Sequence, residues 1–364
     1  MKVGIMSMQR IKNYGSFLQA FGLKKIIESL SHDVEFVDYH IGQCVCEKQA
    51  EKKQNKIKQV IRFIKHRSTP RKRNMYKKAN QFGAVFDTFF VDLGLTDKRN
   101  YNANVDTLII GSDEVFNCFQ DNLDVGYSLE LFGKNNSAKK CITYAASFGS
   151  TTMEKISSYN KQEEIGYCLG SIDSISVRDN NSFEIVKTLT NKAPNNINLD
   201  PVLVYDFSEE IIEPEISEPY IIVYSYRGRF SSKEGKFIKK FATQKGMKLL
   251  SLGGIQDFCD DYILATPFEV LGLIKNAGYV ITDTFHGTVF SIKFNKKFVS
   301  VIRDSNKQKL SDLLLRFGLS ERELEDFNKL NEQIDKENDI ESVNRILEEE
   351  KLNTHEYLVR NIGN

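Results

Sequence analysis

The chain has 364 residues, 41% of them hydrophobic, with 50 Lys or Arg against 49 Asp or Glu. That length exceeds the size at which single cores stop growing, so two domains are expected. The near-neutral balance excludes a global field for nucleic acid or membrane, and no apolar run approaches the length of a bilayer span. Six scattered cysteines (Cys44, Cys46, Cys118, Cys141, Cys168, Cys259), with no CxxC pair and no secretory signal, read as reduced thiols of a cytoplasmic protein.

In chain order, "KVGIMSM" reads as a strand and "SFLQAFGLKKIIESL" as a helix with Phe17, Leu18, Phe21, Ile26, Ile27 and Leu30 at helical spacing. "DVEFVDY" is a second strand, and this β-α-β opening points to a parallel sheet with a right-handed crossover. "DTLIIGS", "CITYAAS" and "SISVRD" read as further buried strands. A second set follows Asp200-Pro201: strands "PYIIVYSYR", "MKLLSLGG", "GYVITDT" and "KKFVSVI", with helices "SSKEGKFIKKFATQKG", "PFEVLGLIKNA" and "GTVFSIKF" between them. The expected fold class is α/β, with two Rossmann-like doubly wound domains facing a cleft and the active site at the carboxyl ends of their strands. The expected division is 1–200, 201–319 and an acidic helical tail 320–364.

An insertion from Lys48 to Lys78 breaks the rhythm with 13 Lys or Arg against one Glu. Ile57, Val60, Ile61 and Ile64 fall at i, i+3, i+4 and i+7, which suits a basic amphipathic helix. It reads either as a solvated face or as a peripheral membrane contact, with Lys56, Lys58, Arg62, Lys65, Arg67, Arg71, Lys72 and Arg73 available to anionic headgroups. His40, Cys44 and Cys46 lack a fourth ligand, and Asp257, Asp260 and Asp261 read as a solvated loop. No metal and no nucleic-acid partner are expected.

Four junctions could carry chemistry. Asn13, Tyr14 and Gly15 stand between the first strand and its helix, where a ligand can approach closely, although a plain loop capped by Ser16 fits equally. Ser112, Asp113 and Glu114 follow a buried strand, and either carboxylate suits a general base, with helix capping as the alternative for Asp113. Arg178 ends a strand with a planar fork fit for a carboxylate or phosphate, or for a salt bridge to Asp179 or Asp200. In "TDTFHGTVFSIKF", a strand runs into Phe285, His286, Gly287 and Thr288 at a helix start, where unpaired N–H groups attract anions.

Taken in order, "NYGSFLQAFGL", "LIIGSDEVFN", "TYAASFG", "ISVRDNNSFEIV", "NLDPVLVYD" and "ITDTFHGTVFSIKFNKKFVSV" resemble the signature segments of the polysaccharide pyruvyl transferase family. Phe116 stands where members often carry Trp. The resemblance implies a fold like the B-type glycosyltransferases and transfer of the pyruvyl group of phosphoenolpyruvate to a sugar, commonly as a ketal, with release of phosphate. It implies no cofactor beyond that donor substrate and a glycan acceptor, often on a lipid carrier at the cytoplasmic membrane face. By the same resemblance, His286 and Arg178 bind the donor, with Phe285, Gly287 and Thr288 beside them. Asp113 is the expected base, with Asn13, Tyr14, Gly15, Ser112, Asp113 and Glu114 on the acceptor side. A B-type glycosyltransferase using a nucleotide sugar is the rival reading, with Asp283 as its ribose-binding carboxylate.

Overall fold

The computed structural model describes residues 1–45, 69–120 and 122–363. They form two compact units: 1–45, 89–207 and 344–363 in the first, and 69–88 and 208–343 in the second.

The first unit holds a six-stranded sheet of β1 (Lys2–Met6), β2 (Asp33–Phe36), β3 (Thr107–Asp113), β4 (Lys140–Ala146), β5 (Ser176–Val177) and β6 (Asn196–Ile197). Their spatial order is β2-β1-β3-β4-β5-β6, and every pairing is parallel. All seven residues of β3 are buried, as a strand covered on both faces by crossover helices requires. The order reverses between β1 and β3. In open parallel sheets this switch point opens a crevice at the carboxyl ends, where ligands bind.

The second unit repeats the plan with β7 (Tyr220–Ser225), β8 (Lys248–Gly253), β9 (Asp261–Tyr262), β10 (Tyr279–Thr282), β11 (Phe298–Val301) and β12 (Glu323–Leu324). Its order, β12-β11-β10-β7-β8-β9, is again all parallel, and its switch point lies between β7 and β10.

The sequence reading and the structure part company at the edges of the units. The helix Pro201–Val204 and the following Phe207 belong to the first unit, because Val202, Leu203 and Phe207 are buried there and Phe207 stacks on Phe21 with centroids 6.1 Å apart. The tail is not one element. Arg322, fully buried, donates to the carbonyl oxygen of Gln333 at 3.0 Å, and Lys245 pairs with Asp335 at 2.7 Å, so its first part stays with the second unit. The helix Ile340–Ile362 carries the chain back to the first: Tyr357 donates to the carbonyl oxygen of Thr143 at 2.8 Å, and Thr354 meets the hydroxyl of Tyr144 at 3.0 Å.

Most of the basic insertion, including Ile57, Val60, Ile61 and Ile64, lies outside the described residues. Its end forms the helix Pro70–Ala79, whose Met75 and Tyr76 pack with Ile255 and Tyr262 of the second unit. The acidic loop expected to be solvated is instead gripped by this helix. Lys72 reaches Asp257 at 3.3 Å, Lys78 reaches Asp261 at 2.6 Å, and Arg71 donates to the carbonyl oxygen of Cys259. Arg71 and Lys72 therefore have protein partners. No helix among the described residues is long and apolar enough to cross a membrane.

Candidate functional site

At the first switch point, the loop after β1 meets the end of β3. Asn13 is the N-cap of the helix Tyr14–Ser29, accepting from the amide of Gly15 at 2.9 Å, so Ser16 is not the cap. Ser16 instead donates its hydroxyl to Asp113 at 2.9 Å. Asp113 also accepts from the amide of Glu114 at 2.9 Å, while its own amide donates to Ser112 Oγ at 2.6 Å. Its backbone lies in the left-handed region, φ 77°, sparsely used by residues with a side chain and concentrated at functional sites.

Arg178 lies directly behind this carboxylate. Its Nη1 donates to Asp200 at 2.8 Å and stands 3.6 Å from Asp113, with only 3% of the side chain exposed. Burial works against its charge, but Asp200, then Asp113, Glu114 and Asp179, outweigh burial and raise its pKa. The geometry makes Arg178 the counter-ion that holds Asp113 and Asp200. Asp179 does not take part in that bridge; it caps the helix Asn180–Thr190 and accepts from Ser147 at 2.6 Å.

The structure thus brings Asn13, Tyr14, Gly15, Ser112, Asp113 and Glu114 to one place but sorts them. Tyr14, Gly15 and Ser112 are buried and back the site, whereas Asn13 and Glu114 are partly exposed. Phe116, at the position where family members often carry Trp, is fully buried against Phe132 and Phe148, with centroids 4.8 and 5.2 Å away.

At the second switch point, Asp283 and Thr284 link the end of β10 to the helix Phe285–Lys293. The cap is Thr284, whose hydroxyl accepts from the amide of Gly287 at 3.0 Å, so His286 does not serve as one. A Cβ on Gly287 would collide with the hydroxyl of Thr282, which explains glycine there. His286 lies in the first turn, 9% exposed, with its ring against Phe285 and Phe290. Thr288 does not offer a hydroxyl to a donor: it is fully buried, bonding the carbonyl oxygen of Thr284 at 3.1 Å and Ser300 at 2.7 Å.

Asp283 is fully buried and presents no carboxylate to a ribose. It accepts from Ser225 at 2.7 Å and faces Arg229 at 3.2 Å and Arg303 at 3.9 Å. Burial pushes its carboxyl above the ordinary range, and Arg229, Ser225 and Arg303 offset this only in part. These two arginines escaped the sequence reading. The available signal was "YSYRGRF" and "VIRDSN", arginine-bearing loops at the ends of strands that become neighbours of β10 only in the folded sheet.

Two parallel, doubly wound units define the class, a B-type glycosyltransferase fold. A solved structure of the spinosyn rhamnosyltransferase SpnG is similar over 100% of both chains, with a TM-score of 0.50 and 11% identity. The UDP-GlcNAc 2-epimerase of Neisseria meningitidis, solved with UDP-GlcNAc, gives 0.49 and 12% over 98% of this chain and 100% of its own. Among curated proteins, none matches the sequence. The family model of polysaccharide pyruvyl transferase matches residues 13–305, and the chain belongs to that family.

Proposed function

We propose that the protein transfers the pyruvyl group of phosphoenolpyruvate to a sugar of a cell-surface glycan or its lipid-linked precursor, closing a ketal and releasing phosphate. The observation that carries this reading is the junction after β10, where a family member's sheet places His286 in the first turn of a helix at its switch point. Helix N-termini at such points attract phosphate and carboxylate, and the donor carries one of each.

The chemistry needs a proton on the donor's methylene carbon, which makes C2 electrophilic. A sugar hydroxyl then forms a C–O bond to C2 as a base takes its proton, and the bond from C2 to the phosphate oxygen breaks. A second hydroxyl closes the ring, and its proton goes to the released phosphate. His286 is the proposed acid and partner of the donor anion, with the backbone of Phe285 at its side. Asp113 is the proposed base, held by Ser16, the Glu114 amide and Arg178. Asn13 and Glu114, the partly exposed members of that cluster, are the proposed acceptor contacts.

Asp113→Asn keeps the shape and one acceptor oxygen for the Glu114 amide but cannot take a proton. Turnover, followed as phosphate released from phosphoenolpyruvate in the presence of acceptor, is expected to fall ~10²-fold or more with donor affinity retained. A variant that keeps its rate and only melts earlier would make Asp113 a structural residue.

A further inference from the structure

We propose that Arg229 and Arg303, held in place by Asp283, form a phosphate-binding subsite at the second switch point. This rests on the donor reading above and gives its phosphate a place in the second unit. Arg229 follows β7 and Arg303 follows β11, the strands on either side of β10. The fold therefore delivers two guanidinium groups from distant sequence to the mouth of the helix that bears His286.

The bonding of these groups leaves donors over. Arg229 turns Nε to Asp283 at 3.2 Å and donates Nη2 to Ser305 at 3.0 Å, so Nη1 remains for a ligand. Arg303 donates Nη1 to Glu234 at 2.6 Å, whereas its Nε and Nη2 edge, the bidentate face of a guanidinium, is buried with no hydrogen bond. Oδ2 of Asp283 is likewise without one. A buried donor edge left unmade is costly, and such groups in native proteins call for a partner. Just over a quarter of each arginine side chain is exposed (29% and 26%), so a ligand can approach the pair, while Asp283 and the unbonded edge of Arg303 lie behind that surface. The carboxylates of Asp283 and Glu234 leave donors of both forks unused. A phosphate monoester, with three oxygens and a charge near −2, can bridge them. Asp283 is then a positioning residue that keeps the two forks together at the strand ends. Stacking of Arg303 over Phe230, 5.5 Å from the ring centroid, and of Arg229 over Tyr226 at 5.7 Å, restricts the remaining motion of each.

The test uses the full chain and three probes in calorimetric titrations: inorganic phosphate, phosphoenolpyruvate and uridine diphosphate. Arg229→Lys and Arg303→Lys keep the charge that faces Asp283 but lose the planar fork. Wild type is expected to bind phosphate and phosphoenolpyruvate, and each variant to bind both at least ~10-fold more weakly without a change in melting temperature. Unchanged phosphate and phosphoenolpyruvate affinities in both variants would overturn the subsite and leave the donor reading standing. A wild type that binds phosphate but not phosphoenolpyruvate, with binding weakened in the variants, supports the subsite and overturns the donor reading. Weakened binding of uridine diphosphate alone would assign the pair to a nucleotide. A wild type that binds none of the three overturns both. Should a lysine variant melt early, phosphate is expected to slow phenylglyoxal modification of Arg229 and Arg303 in wild type, read by peptide mass spectrometry; equal rates with and without phosphate would refute the subsite.

Discussion

Replacing Arg178 with alanine is expected to destabilise the protein by about 3–5 kcal/mol, because removing one partner of a buried ion pair leaves the other charge uncompensated. Two carboxylates are left behind here, Asp200 at 2.8 Å and Asp113 at 3.6 Å from the lost Nη1. In a unit of this size the melting midpoint should fall by roughly 10 °C. Combining Arg178→Met with Asp200→Asn removes both charges of the shorter pair and should recover part of the loss, since Asp200 is then no longer left as an uncompensated buried charge. Turnover should fall as well, because Asp113 loses the cation that fixes its carboxylate. A single variant that melts and reacts like wild type would show that Arg178 holds neither carboxylate.

The second large effect is expected at His286. His286→Ala should lower turnover by ~10²-fold or more, the loss typical of removing an acid that works in the transition state. His286→Gln should fare no better, since it restores hydrogen bonding but no transferable proton. Neither change disturbs the helix start, whose cap is Thr284, so far-UV circular dichroism should be unaltered. The ring of His286 packs beside Phe285 and Phe290, which makes a modest drop in melting temperature compatible with a catalytic role. Turnover near that of wild type in the glutamine variant would remove His286 from the chemistry.

The strands were legible because a parallel sheet demands continuous apolar runs, and "TLIIGSD" and "YIIVYS" are such runs. The four junctions were legible for the same reason, since each stands where an apolar run stops. Four things were not. The partner of Arg178 was open between Asp179 and Asp200 because both lie near it in the fold, and only coordinates show that Asp179 is occupied as a cap while Asp200 accepts the guanidinium. The direction of Thr288 was hidden because a helix turns a residue inward or outward according to what packs behind it, and Ser300 of β11 lies there. The loops that bear Arg229 and Arg303 show only that two strands end in arginines, and their proximity is created by the strand order β11-β10-β7. The tail divided for a related reason: its uniform acidity says nothing about the buried Arg322 that anchors one half or the Tyr357 that anchors the other.

The most direct test is mass spectrometry of glycan acceptors, free and lipid-linked, incubated with the protein and phosphoenolpyruvate. A pyruvyl transferase closing a ketal should add to the acceptor the mass of pyruvate less one water and release one phosphate for each ketal formed. No gain in mass with phosphoenolpyruvate, together with addition of a hexose when a nucleotide sugar is supplied instead, would contradict it.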